Sequence, residues 1–251
     1  MKNVFLKWLF MFTVATSVWA FVVPAKKIKV WMIGDSTMCD YPGSRSPLTG
    51  WGMPFKDFFD TTVTIKNMAR GGRSTRTFIS EGRWKNVYDS LEAADYVLIQ
   101  FGHNDEAKEP QYAARYTPVP DYKNNLIKFI TEARSKKAKP VLITPVTRMQ
   151  FDANGNIKET HKEYSAAVWE IGKEYEVPVI DLDAKSRQLL QNFGPDKAKL
   201  LFMHLDSLEN PHYPKGNKDN THFNEFGARK MAQLVVKEIQ TLKLDLAARM
   251  N

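Results

Sequence analysis

KIKVWMIGDSTM, residues 27–38, is the stretch from which the fold is read. Lys27–Ile33 has the pattern of a strand, with Val30, Trp31, Met32 and Ile33 forming a near-continuous apolar run. Such a run suits a parallel strand covered on both faces. Gly34-Asp35-Ser36-Thr37-Met38 then breaks it with turn-forming residues. A serine hydroxyl is thereby set at the C-terminal end of a buried strand, where open α/β sheets bind their ligands.

The same pattern recurs outward from this segment. Thr62–Lys66, Asp95–Phe101, Pro140–Thr144 and Val177–Leu182 read as four further strands. Between them, Trp51–Phe59, Ser80–Leu91, Tyr122–Lys137 and Tyr164–Tyr175 read as helices. In the third of these, Leu126, Ile127, Ile130 and Ala133 share one face. Glu225–Leu242 is the last helix, with Ala228, Met231, Ala232, Val235 and Ile239 at helical spacing and Asn224 as its N-cap. Alternating strands and helices predict an α/β fold, a parallel five-stranded sheet in a three-layer α/β/α sandwich, within one domain spanning 21–251. Three longer connections remain. Asp105–Pro120 and Met203–Asp219 read as loops, and Met149–Thr160 as a small hairpin insertion turning at Asp152-Ala153-Asn154-Gly155-Asn156.

The chain has 251 residues, 43% hydrophobic and 25% charged, enough for one sizeable core. Residues 1–20 read as a secretory signal: Lys2 and Lys7 precede an uncharged, mostly apolar run from Trp8 to Val23 that is short for a membrane span. Cleavage is expected near Ala20, after the Val18/Ala20 pair, or near Ala25, after Val23/Ala25. A secreted or periplasmic protein without stable membrane insertion follows. Removing residues 1–20 takes away two lysines and no acid, so the formal net charge of +8 falls to +6. That excess suits either solubility or an anionic polymer. Cys39 is the single cysteine, so no internal disulfide forms.

Gly71-Gly72 and Gly102-His103-Asn104-Asp105 each follow a strand, as Gly34-Asp35-Ser36 does, and should meet it at one sheet edge. Asp219-Asn220-Thr221-His222 comes just before the last helix. Any one of these is ordinary turn or cap vocabulary. Together they supply a hydroxyl, an imidazole and a carboxylate, the three groups that an activated serine nucleophile needs. No Gly-x-Ser-x-Gly elbow, Ser-x-x-Lys, His-Glu-x-x-His, Cys-x-x-Cys or phosphate-binding loop occurs. His161 is expected to make a loop contact, His204 and His212 lie in the loop before Asp219 without ligand spacing, and neither a metal, a cofactor nor nucleic acid is expected.

All four blocks, in order, resemble the SGNH hydrolases, also called the GDSL family: Gly34-Asp35-Ser36-Thr37, Asn67-Met68-Ala69-Arg70-Gly71-Gly72-Arg73-Ser74, Gly102-His103-Asn104-Asp105 and Asp219-Asn220-Thr221-His222. Gly50-Trp51-Gly52, Arg76 with Glu81-Gly82-Arg83, and Asn224-Glu225-Phe226-Gly227-Ala228 are similar to the rhamnogalacturonan acetylesterase branch. The resemblance implies a flavodoxin-like fold and a secreted enzyme, expected to be a monomer, that removes acetyl groups from an acidic pectic polysaccharide. It implies Ser36 as nucleophile, His222 as general base and then acid, and Asp219 as the group orienting the imidazole. It implies an oxyanion hole from the N–H groups of Ser36 and Gly72 and the side-chain amide of Asn104. Arg73 and Arg76 either pair with substrate carboxylates or hold their loop. His103 either touches substrate or is structural; Trp51, Tyr112 and Tyr116 either stack on sugars or belong to the core. The chain departs from fungal members in lacking paired cysteines and in carrying Arg70-Gly71 where they have small apolar residues. Deacetylation of xylan or oligosaccharides, lipase or thioesterase chemistry, and non-catalytic polysaccharide binding are the competing readings.

Overall fold

A computed structural model describes residues 27–251. The proposed signal lies outside the described residues. Five strands form one parallel sheet: β1 Ile28–Gly34, β2 Val63–Asn67, β3 Tyr96–Gln100, β4 Lys139–Ile143 and β5 Val179–Ile180, in the order β2-β1-β3-β4-β5. Registers are parallel throughout, with Met32 opposite Asn67 on one side and Leu98 on the other. The order reverses between β1 and β3, so the chain leaves these neighbouring strands in opposite directions and opens a crevice at their C-terminal ends.

Successive strand side chains feed two different cores. Val30, Met32, Tyr96, Leu98, Val141 and Ile143 face one layer, with α1 (Gly52–Phe55), α6 (Leu182–Lys197) and α7 (Glu225–Thr241). Trp31, Ile33, Val97, Ile99 and Leu142 face the other, with α2 (Thr75–Ser80), α3 (Arg83–Ser90), α4 (Val119–Ser135) and α5 (Lys162–Glu174). Period-two alternation in strands apolar on both faces is what makes the three layers. Trp51 is wholly buried and belongs to the core. Asn224 caps α7 by accepting from the Gly227 N–H at 3.0 Å.

Three elements differ from the sequence expectation. The helix expected over Ser80–Leu91 is two helices. Ser74 and Thr77 form a reciprocal capping box that starts α2 five residues early, and Gly82, at φ +70°, separates α2 from α3. Helix α6 was not expected; it is capped by Asp181, which accepts from the Ala184 N–H at 3.1 Å. Its many polar residues dilute the apolar stripe formed by Leu182, Leu189, Leu190 and Phe193. The Met203–Asp219 loop begins and ends in an antiparallel hairpin, β6 (Phe202–Leu205) with β7 (Asn217–Phe223). Six of the seven β7 residues are polar, so no hydrophobic alternation announces this strand. The Met149–Thr160 insertion does turn back on itself, through a Phe151–Ile157 bridge.

Candidate active site

The turn after β1 is fastened to the core before it presents a hydroxyl. The buried Asp35 carboxylate accepts from the Thr37 N–H at 2.9 Å and the Thr37 hydroxyl at 2.8 Å. Burial pushes the Asp35 carboxyl upward, against the lowering effect of those two bonds. Gln100, at the end of β3, donates to Thr37 Oγ1 at 2.9 Å and accepts from Trp51 Nε1 at 2.6 Å. The Ser36 carbonyl accepts from the Tyr41 hydroxyl at 2.8 Å. Ser36 Oγ is left facing a cavity of about 600 Å³ that is also lined by Gly72, Asn104 and His222.

His222 reaches that hydroxyl from the other side through an irregular strand. Phe202 pairs with Phe223, but Met203 pairs with Asp219, so residues 220–222 bulge out of the β6–β7 ladder. Bulges re-aim side chains in this way. Inside the bulge, Asp219 Oδ1 accepts from the backbone N–H groups of Thr221 (2.7 Å) and His222 (3.0 Å). Its other oxygen lies 2.7 Å from His222 Nδ1. A carboxylate there makes Nδ1 the protonated nitrogen, which leaves Nε2, 2.9 Å from Ser36 Oγ, as an acceptor. Burial alone would raise the Asp219 carboxyl; the hydrogen bond and charge of His222 and the two amides outweigh it and hold the group at about 2.

Gly72 and Asn104, the expected donors, line the same cavity as Ser36 and His222. Gly72 has φ +78°, a conformation in which a side chain would be strained. Among the described residues, neither the Ser36 nor the Gly72 N–H donates to a backbone acceptor. Asn104 donates one amide hydrogen to the Arg73 carbonyl at 3.0 Å, and its amide has a second hydrogen to give. The Asn104 block is fixed residue by residue. Gly102 lies against Pro145, where a Cβ would come within 2.5 Å of the ring. His103 Nε2 donates to the Val146 carbonyl at 2.8 Å, and Asp105 Oδ1 accepts from the Thr75 N–H at 2.9 Å. Burial pushes the Asp105 carboxyl up to about 7, against its bonds to Thr75.

The structure therefore brings Ser36, Gly72, Asn104, Asp219 and His222 together from four segments. The expected substrate contacts separate. Arg73 is on the cavity wall, its guanidinium tied to Glu81 at 3.1 Å and to the Gly71 carbonyl at 2.9 Å. Arg76 is outside the lining, paired with Asp121 at 3.1 Å. His103 reaches the cavity floor but is only 4% exposed. Burial pushes its imidazole well below its ordinary pKa, so it is neutral there.

Sequence reading missed Arg148 and Glu106. Arg148 donates to Thr221 Oγ1 at 2.9 Å, inside the bulge, and to Glu106 Oε1 at 3.0 Å. Glu106 Oε2 in turn contacts His161 Nδ1 at 2.8 Å. Burial opposes charge on Glu106, but His161 and Arg148 together keep its carboxyl below the usual range. No motif links residues at 106, 148 and 221; Glu106 and Arg148 meet where the segments after the adjacent strands β3 and β4 run together, and the bulge brings Thr221 to Arg148.

Residues 30–235 match the model of the family described as GDSL-like Lipase/Acylhydrolase. The chain belongs to that family. Membership places it among carboxylic ester hydrolases. It is 42% identical over 221 residues to the rhamnogalacturonan acetylesterase RhgT of Bacillus subtilis, across 88% of this chain and 93% of that protein. It is 36% identical over 219 residues to the probable rhamnogalacturonan acetylesterase YesY of the same organism, across 86% and 94%. Among solved structures, YxiM of Bacillus subtilis superposes with a TM-score of 0.75 at 26% identity; the match covers 88% of this chain but 58% of that one. Axe2, an acetylxylan esterase from Geobacillus stearothermophilus, shares the fold with a TM-score of 0.60 at 18% identity, across 85% and 94% of the two chains.

Proposed function

We propose that this family member is a secreted or periplasmic serine esterase, acting as a monomer, that removes acetyl groups from pectic polysaccharide, rhamnogalacturonan first. The observation that carries the chemistry is the unbroken line Asp219 Oδ2–His222–Ser36 Oγ, at 2.7 and 2.9 Å. The substrate is supported by the two Bacillus relatives, whose names specify rhamnogalacturonan and which this chain matches over more than nine-tenths of their length.

Ser36 Oγ attacks the acetyl carbonyl as His222 Nε2 takes its proton. The carbonyl oxygen becomes an oxyanion that accepts from the Ser36 and Gly72 N–H groups and Asn104 Nδ2. As the bond to the sugar oxygen breaks, His222 gives its proton to that oxygen, and acetyl-Ser36 remains. Water, deprotonated by His222, then releases acetate and restores the serine. Throughout, Asp219 stabilises the imidazolium without itself taking the proton, in keeping with a carboxyl held at about 2.

Acetate release is measured on acetylated rhamnogalacturonan, homogalacturonan and xylan. The reading expects the highest kcat/KM on rhamnogalacturonan. Preference for xylan would replace the substrate, and no release from any of the three would remove the esterase reading. Asn104→Ala should lower kcat by about 10²–10³; an undiminished rate would take Asn104 out of the oxyanion hole.

A further inference from the structure

Five arginines line the cavity in front of Ser36: Arg45, Arg70, Arg73, Arg115 and Arg148. Two have carboxylate partners from outside the lining, Glu81 for Arg73 and Glu106 for Arg148. Among the described residues the other three have none. Arg45 lies over the Tyr41 ring at 5.1 Å, and Arg115 over the Tyr112 ring at 3.8 Å. Among the described residues, no hydrogen bond or ion pair holds the Arg70 guanidinium. Arg115 Nε is buried without an acceptor, and its Nη1 lies 3.9 Å from where a Cβ on Gly72 would stand. Among the described residues, the single acid of the lining is Asp40, whose Oδ1 already accepts from Asn67 at 2.7 Å.

Three uncompensated guanidinium groups around one cavity repel each other, and an aromatic face relieves little of that at an exposed site. They attract anions, and their planar forks match carboxylates bidentately. We propose that Arg70 and Arg115, with Arg45 at the outer edge, form a subsite for the carboxylates of uronic acid residues next to the acetylated sugar. Arg115 anchors the residue nearest the oxyanion donors, since its guanidinium is beside Gly72 and Tyr112 stacks against it. Arg70 projects from the loop between β2 and Gly72 and takes a neighbouring uronate. Arg73, the nearest arginine to these in sequence, is held by Glu81 and shapes the loop. The inference deepens the esterase reading above and rests on it for the position of the acetyl group.

The test uses the full mature protein with Arg70→Gln and Arg115→Gln, singly and combined, beside Lys85→Gln as a charge-matched change on α3. Steady-state kinetics are run on acetylated rhamnogalacturonan oligosaccharides and on p-nitrophenyl acetate. In the double variant, kcat/KM on the uronate substrate should fall at least about tenfold more than on p-nitrophenyl acetate, chiefly through KM. Its loss of rate with added NaCl should also flatten. Equal losses on the two substrates, or no loss on either, would overturn the subsite.

Calorimetry with Ser36→Ala protein and unacetylated galacturonate oligosaccharide reads binding without turnover. Binding weakened about tenfold or more by the two arginine changes, and unaffected by Lys85→Gln, supports the subsite even where acetate release fails. Acetate release with no such binding leaves the esterase standing and removes the subsite.

Discussion

Ser36 and His222 meet across 2.9 Å, yet the segments that carry them are built differently. The serine side is an extension of the core. β1 is buried from Val30 to Gly34, and Asp35, Thr37, Gln100 and Trp51 behind the turn are all within 1% of complete burial. The histidine side is the half-exposed strand β7, polar at six of its seven positions. Asp219 holds it from within. From outside it is held by Arg148 on Thr221 and by the Met149 N–H donating to the Asn220 carbonyl at 2.8 Å. Hydrogen bonds buried in the core position Ser36, whereas half-exposed charge and hydrogen bonds position His222. The two halves should therefore fail in different ways.

The largest effect removes the imidazole proposed as base. His222→Ala should lower kcat by about 10⁴ or more, because the hydroxyl then has no proton acceptor. Acetate release with near-native turnover would break the comparison at its first step. Gln100→Leu attacks the serine side: the Trp51 indole and Thr37 hydroxyl lose a buried partner. Unfolding stability should drop by about 2–4 kcal/mol, read by urea denaturation. Arg148→Gln attacks the histidine side. Here kcat should fall about tenfold while stability changes by about 1 kcal/mol or less, since the surrounding apolar core is untouched. If Gln100→Leu cost only activity and Arg148→Gln only stability, the distinction drawn between the two segments would be reversed.

The smallest effect is one of pH. The Asp219 carboxyl, at about 2 in the folded chain, lies below its unfolded value near 3.8. Its stabilising contribution is therefore complete above about pH 4 and is lost as pH falls through about 2. For a group about one-third exposed this is worth about 1–2 kcal/mol. The Tm gap between the native protein and Asp219→Asn should shrink as the pH falls from 6 toward 2. A constant gap would mean that the carboxylate contributes no charge-dependent stability to the bulge.

The same contrast explains what sequence could and could not reveal. Four strands of the sheet announce themselves by apolar runs and β2 by alternation, and the sheet edge follows from them, so the blocks holding Ser36, Gly72 and Asn104 are found by position and their expected roles by the family resemblance. Asp219 and His222 are found by their spacing in a motif, not by the strand that carries them. β7 has no apolar period, and its bulge depends on which backbone amides Asp219 captures. The link from Glu106 through Arg148 to Thr221 is visible only in three dimensions. Arg70 and Arg115 are unremarkable as residue types. What distinguishes them from Arg73 and Arg76 is the lack of a carboxylate partner, a fact of three-dimensional pairing. Likewise Trp51, equally suited to a sugar face or a core by composition, is assigned to the core by its bond to Gln100.

The central claim is that Ser36 is the nucleophile and that His222 activates it. Intact-protein and peptide mass spectrometry after treatment with a fluorophosphonate tests it most directly. The account predicts one adduct per chain, located on the Ser36 peptide, with labelling lost in Ser36→Ala and strongly slowed in His222→Ala. An adduct on another residue, or labelling that proceeds at the native rate without His222, would contradict it.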